Sequence, residues 1–133
     1  MIRFCTVIAL TSLCLATSAS ADASKAHRVA LGAQIYANKC SLCHDKSEHM
    51  INDIGPALFG VVGRRVGSVD DYNYSAVLME GYARGDVWTP AALDTFLTNP
   101  DHVRPGTGMP FMIKGAKERA GVIAYLKTLR GKP

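Results

Sequence analysis

The stretch Cys40-Ser41-Leu42-Cys43-His44 combines residue types and spacing that can do chemistry. Residues at i, i+3 and i+4 share one face of a helical turn. Two thiols so placed can each form a thioether to one of the two vinyl groups of a haem. The adjacent imidazole can then serve the iron as its proximal ligand. C-x-x-C-H is the attachment motif of c-type haem, and covalent attachment fixes the porphyrin against the backbone and prevents its loss. Three other chemistries compete. A thioredoxin-like redox dithiol needs a βαβ context, and no strand–helix alternation surrounds the motif. A zinc site needs a second Cys or His pair at short spacing, which His49 and His102 do not supply. A plain disulfide leaves His44 as a coincidence. In an exported chain the pentapeptide points to haem, and a second axial ligand would complete the case.

That ligand is sought among the methionines. Arg104-Pro105-Gly106-Thr107-Gly108-Met109-Pro110-Phe111 is a loop by composition, with a thioether stiffened by proline on both sides. Met1 lies in the leading segment. Met50 is too close to His44 to cross easily to the other face of a haem. Met79 sits in an apolar-spaced helical stretch and is expected in the core. Met112 is the competitor, three residues from Met109, and the Pro/Gly setting favours Met109. His49 and His102 lie in polar stretches and are expected at the surface.

The elements that must position these groups come from one modest domain. Of the 133 residues 48 % are hydrophobic and 20 % charged, a globular balance rather than a disordered one. A net charge of +4 without Lys/Arg stripes speaks against a nucleic-acid binder. No apolar run reaches the roughly 18 residues of a membrane span. Aromatics are only 8 %, thin for a small core, which hints that another group helps to fill it. Residues 1–21 read as a secretory signal peptide: Arg3, an apolar stretch from Phe4 to Ala16, then the small-residue site Ala19-Ser20-Ala21. The competing reading is an uncleaved anchor. A lipoprotein reading of Cys14 fails because bulky Leu13 precedes it. Cleavage leaves residues 22–133 as the domain and removes Cys5 and Cys14, so Cys40 and Cys43 remain.

Within that domain, Leu31, Gly32, Ile35 and Tyr36 form a helical stripe over about Lys25–Lys39, leading into the motif. Thr89-Pro90 is a helix start with an N-cap Thr, followed by Leu93, Phe96 and Leu97 at helical spacing. A last helix is expected over about Ala116–Leu129. Glu118 sits in its first turn, Lys127 and Arg130 lie near its end, and Val122, Tyr125, Leu126 and Leu129 form its buried stripe. A short helix is expected near Ser75–Met79. Gly/Pro-rich loops fill the intervals, and the fold class is all-α.

At this point the chain resembles the class I cytochromes c, near the soluble mitochondrial and bacterial periplasmic branch. The matching stretches are Lys39 to His44, Gly55 to Arg64, Tyr72-Asn73-Tyr74-Ser75, Trp88-Thr89, Leu97-Thr98-Asn99-Pro100, Pro105 to Phe111, Glu118-Arg119-Ala120 and Ile123 to Leu126. They run in family order from about Leu31 to Leu129. The resemblance implies three main helices with short helices and loops wrapped around one haem c, held through Cys40 and Cys43. It implies that the first and last helices cross, and Gly32, lacking a Cβ, would permit a close approach to Val122 and Tyr125. It implies His44 and Met109 as iron ligands, and a Pro56 carbonyl that accepts a hydrogen bond from His44. Arg64, Tyr74, Trp88 and Thr107 match positions that hold the haem propionates. Phe96 stands where many members carry Tyr, so a hydroxyl near the ligand sulfur is missing. Asp101-His102 and Gly108 stand where mitochondrial forms carry lysines. The positive ring is thin: Lys39 and Lys114 are its best survivors, with Lys46, Arg104 and Lys117 outlying.

The function this implies is a diffusible one-electron carrier rather than an enzyme, with no open iron position and no general base. The alternative is a peroxidase-like or gas-sensing haem protein in which Met109 is labile and His102 assists. The expected compartment is a bacterial periplasm. Expected partners are redox proteins docking near Lys39 and Lys114. The donor would be a quinol-oxidising complex or a periplasmic dehydrogenase. The acceptor would be a terminal oxidase, a peroxidase or a photosynthetic reaction centre.

Overall fold

The computed structural model describes the backbone of residues 13–130 and the side chains of residues 20–130. Residues 1–12 of the expected signal segment, with most of its apolar stretch, lie outside the described residues. The architecture is all-α, with helices α1 (Leu13–Asn38), α2 (Ala76–Arg84), α3 (Pro90–Thr98), α4 (Pro100–Val103) and α5 (Ala116–Leu126), and a 3-10 turn over Cys40–Leu42. The one β-like pairing among the described residues is an isolated bridge between Arg65 and Val87.

Helix α1 begins well before the expected Lys25. Residues 20–28 are nevertheless exposed, and cover begins at Val29, so this stretch adds no core. From there the expected stripe packs: Gly32 and Tyr36 are buried, Leu31 and Ile35 partly so. The partner is α5, and the crossing is as close as two backbones allow. A Cβ on Gly32 would sit 2.0 Å from the Gly121 carbonyl oxygen and 2.7 Å from Tyr125 Cβ. One on Gly121 would meet Leu31 Cγ at 3.2 Å. Tyr36 and Tyr125 add a tilted ring pair with centroids 5.6 Å apart.

Helix α5 stops at Leu126, short of the expected Leu129. The Thr128 hydroxyl and backbone N–H both donate to the Tyr125 carbonyl, at 2.7 and 2.8 Å, which tightens the chain out of α geometry. Its buried face is Gly121, Val122, Ile123 and Leu126, while Tyr125 and Leu129 are only partly covered. Helix α3 starts as expected, with the Thr89 hydroxyl accepting from Ala92 N–H at 3.0 Å and Pro90 in the first turn. It buries Leu93, Phe96 and Leu97. Asn99 then caps the short α4, accepting from His102 N–H at 3.2 Å.

Helix α2 is longer than the expected Ser75–Met79. It passes through Gly81 and ends at Gly85, whose φ of +79° is left-handed and therefore suits glycine. Met79 is a correction: it is 45 % exposed on α2 and not part of the core. Arg119 ties the layers together, donating to Asp94 Oδ1 at 2.8 Å and to the Ile113 and Lys114 carbonyls at 3.0 and 2.8 Å. Helices α3 and α5, Leu78 of α2 and the two long loops over residues 43–75 and 104–115 line one apolar cavity.

Candidate haem-binding site

The cavity measures about 440 Å³, and Cys40, Cys43, His44 and Met109 all line it. The proximal turn is local. Cys43 N–H and His44 N–H both donate to the Cys40 carbonyl, at 3.1 and 2.9 Å, and the Ser41 hydroxyl continues the register onto Ala37 at 2.7 Å. The i, i+3, i+4 spacing therefore brings the two thiols and the imidazole to one wall. Cys40 and Cys43 are not joined in a disulfide. Burial, and then the neighbouring Cys43, push the Cys40 thiol up to about 11, the reverse of an activated dithiol.

His44 is held from behind. Its Nδ1 lies 2.7 Å from the Pro56 carbonyl oxygen. A carbonyl can only accept, so Nδ1 carries the proton and Nε2 keeps its lone pair. Burial pulls the imidazole below its ordinary pKa, against a smaller upward pull from the Pro56 carbonyl and Asp53, so the ring favours the neutral form that ligates. Gly55 is part of the seat: a Cβ there would lie 2.3 Å from His44 Cε1. The Gly55 N–H donates to the Cys43 carbonyl at 2.7 Å, and the Tyr36 hydroxyl donates to the His44 carbonyl. The Pro56 carbonyl and Gly55 thus hold the His44 ring from one side.

Met109 reaches the cavity from the loop after α4. Gly106 and Gly108 have φ of +82° and +76°, values that only glycine adopts readily, so the loop's shape depends on them. Gly106 N–H donates to Asp101 Oδ1 at 2.9 Å, and Thr107 N–H to the Arg104 carbonyl at 3.0 Å. The competing methionines fall elsewhere. Met112 is 40 % exposed and lines a separate groove, and Met50 lies 4.0 Å from Arg64 Nη1 outside the cavity lining. His49 and His102 are exposed, as expected.

Arg64, Tyr74, Trp88 and Thr107 all line the same cavity. Arg64 already spends two donors, on the Phe59 and Ala57 carbonyls at 2.8 and 2.7 Å. Of its five N–H groups others remain for an anion. The Tyr74 hydroxyl accepts from Val69 N–H at 3.3 Å and is pushed up by burial. Trp88 packs on Phe96 with ring centroids 4.9 Å apart. The Thr107 and Ser75 hydroxyls are buried without a hydrogen-bond partner. Buried hydroxyls are normally satisfied, so two orphans on one cavity wall mark where polar atoms of a ligand belong. An apolar cavity with a lone-pair imidazole, a thioether, two thiols and a small polar patch fits haem c. Ser75 is a site residue that sequence reasoning missed. It stands at the N-cap of α2 and reads as a cap, yet its side chain caps nothing. Asn52 was also missed: it donates to the Asp70 carbonyl and accepts from Ala57 N–H, tying the chain just after Pro56 to Asp70.

Of the expected surface cations, Lys39 and Lys114 are exposed and share one groove, and Lys39 also reaches the rim of the main cavity. Lys46 is exposed but donates to the Tyr125 hydroxyl at 3.0 Å. Lys117 is exposed. Arg104 is a correction: it is drawn inward by Asp86 and is no surface cation.

These features define a class, the small helical proteins that enclose a covalently attached haem. The chain belongs to the cytochrome c family, whose model matches residues 29–130. It is 44 % identical over 91 residues to cytochrome c-550 of Ancylobacter novellus, covering 68 % of this chain and 85 % of that one. It is 40 % identical over 100 residues to cytochrome c of Euglena viridis, covering 74 % and 94 %. Cytochrome c2 of Rhodomicrobium vannielii is 38 % identical over 125 residues, 93 % of this chain and 95 % of that one. The chain is accordingly a haem c electron carrier rather than an enzyme, and exchanges electrons with redox partner proteins. Cys40 and Cys43 stand in its C-x-x-C-H position. Among the described residues no helix is long and apolar enough to cross a membrane.

Proposed function

We propose that the protein is a periplasmic one-electron shuttle whose iron is closed by His44 on one side and Met109 on the other. The observation that carries this reading is one apolar cavity lined both by an imidazole protonated at Nδ1 and by the loop methionine. Bound haem supplies a one-electron iron couple, and methionine ligation raises its potential relative to a second histidine. The chain's own residues do the rest. Cys40 and Cys43 fix the cofactor by thioethers. Pro56 and Gly55 hold the His44 ring in one orientation. The Leu58, Val61, Leu93 and Phe96 side chains exclude water from the cavity. Arg64, Tyr74, Trp88, Thr107 and Ser75 offer polar atoms to the propionates. With both axial positions filled, substrate has nowhere to bind.

In the same reading residues 1–21 are a signal peptide and residues 22–133 the exported domain, supported by the exposure of every residue from 20 to 28. Partners dock beside Lys39 and Lys114. The donor is a quinol-oxidising complex or periplasmic dehydrogenase, and the acceptor a terminal oxidase, a peroxidase or a photosynthetic reaction centre.

The test is a potentiometric titration of the exported holoprotein, run with a peroxide-consumption assay and an intact mass. The expected result is a single one-electron step, no peroxide turnover, and a chain that starts at Asp22 with one haem. Steady peroxide consumption by a high-spin oxidised protein contradicts the shuttle. A retained leader contradicts the export assignment alone.

A further inference from the structure

Arg104 closes α4 and precedes Met109 by five residues. Its side chain is only 16 % exposed. Nη2 donates to Asp86 Oδ2 at 2.9 Å, and the guanidinium carbon lies 5.5 Å from the centroid of Trp88, a cavity wall. The structure is shaped around this pair. A Cβ on Gly81 would meet Arg104 Nη1 at 2.8 Å and Asp86 Oδ2 at 3.2 Å. Asp86 is fixed independently of the loop: its N–H donates to the Gly81 carbonyl at 2.9 Å, and its carbonyl accepts from Val66 N–H at 2.8 Å. On the loop side, Arg104 N–H donates to Pro100, and its carbonyl accepts from Thr107 N–H. One residue therefore joins the ion pair to the turn that presents Met109. The same Asp86 oxygen also accepts from Arg84 Nη2 at 2.9 Å, but the Arg84 side chain is 55 % exposed and belongs to α2 rather than to the loop.

We propose that the Asp86–Arg104 pair is the positioning clamp of the distal loop and sets how readily Met109 gives way to another ligand. The proposal rests on the reading of Met109 as the distal ligand. Asp86 and Arg104 are positioning residues and touch no cofactor. The two halves of the clamp are unequal. Losing Arg104 leaves Asp86 with Arg84, whereas losing the Asp86 carboxylate leaves a mostly buried guanidinium with no carboxylate partner, the costlier defect.

The test uses imidazole as a competing ligand for the oxidised holoprotein. Binding of an outside ligand scales with the fraction of molecules whose distal site is open. Asp86→Asn is expected to tighten apparent imidazole binding about tenfold, the scale of coupling between contacting residues. Arg104→Lys, which keeps the charge but loses the planar fork, shifts it in the same direction by less. Arg84→Gln leaves it unchanged. In a Met109→Ala background Asp86→Asn has no further effect, because the clamp acts through Met109. Amide exchange at Thr107 is expected to speed up in Asp86→Asn and Arg104→Lys. Unchanged imidazole binding and Thr107 exchange in both variants, with only a lower denaturation midpoint, overturns the clamp and leaves a structural ion pair. An equal effect of Asp86→Asn with and without Met109 overturns it as well. Should Asp86→Asn fail to yield holoprotein, Arg104→Lys carries the test. If Met109→Ala itself leaves imidazole binding unchanged, the ligand assignment fails, and Thr107 exchange alone decides whether the pair holds the loop.

Discussion

His44 and Met109 line one cavity but are held by different kinds of contact. The hydrogen bonds that fix His44 span twelve residues or fewer: Cys40 to the His44 N–H, the Tyr36 hydroxyl to its carbonyl, and the Pro56 carbonyl to its ring. The Met109 loop is held at its two ends by groups far back in the chain. Arg104 grips Asp86, and beyond Met109 the Ile113 N–H donates to the Leu97 carbonyl of α3 at 2.8 Å. Local contacts survive fluctuations of the rest of the molecule, while a loop hung between distant anchors opens when either anchor yields. The proximal wall is therefore the rigid half and the distal loop the half that can be tuned.

The largest expected effect falls on the rigid half. Cys43→Ala removes one thioether beside His44, and the yield of holoprotein after export, read on a haem-stained gel, should fall to a small fraction of wild type. A yield equal to wild type would show that Cys43 attaches nothing. Next is Gly55→Ala. The added methyl meets the His44 ring at 2.3 Å, and overpacking of this kind costs about 1–3 kcal/mol. A denaturant midpoint as high as wild type would mean that the ring is not seated where the proximal account requires it.

Those two positions show what was legible in the sequence. The C-x-x-C-H spacing, the Thr89-Pro90 start of α3 and the Gly32 crossing are short-range patterns, and all three hold in the structure. The distal side was legible only as a Pro/Gly loop with a methionine in it. Its anchors escaped because ion pairing depends on tertiary position: Arg104 read as a surface cation, and Gly81, the floor under Arg104, lies past the end of the short helix expected near Ser75–Met79. Ser75 escaped for a similar reason, since Ser before a helix reads as a cap, and only the fold reveals its unpartnered hydroxyl. Met79 misled because helical spacing does not say which face a short helix buries.

Two smaller effects sharpen the contrast. Thr107→Val removes a buried hydroxyl with no partner in the protein. If that hydroxyl serves a propionate, the holoprotein loses about 1 kcal/mol in denaturant titration, whereas an idle orphan hydroxyl would make valine neutral or stabilising. The smallest effect is expected at Pro56→Ala. The acceptor for His44 is a main-chain carbonyl, which alanine keeps, so the change should be limited to the chain-entropy cost of about 0.4–1 kcal/mol with little movement of the potential. A large drop in potential would mean that the proline ring, and not its carbonyl, orients the imidazole.

The closing of the iron by His44 and Met109 is tested most directly by the weak far-red sulfur-to-iron band of the oxidised holoprotein, recorded for wild type, Met109→Ala and Met112→Ala. The band should be present in wild type, absent in Met109→Ala and unchanged in Met112→Ala. A wild-type spectrum without it, or a band that survives in Met109→Ala, would contradict the assignment.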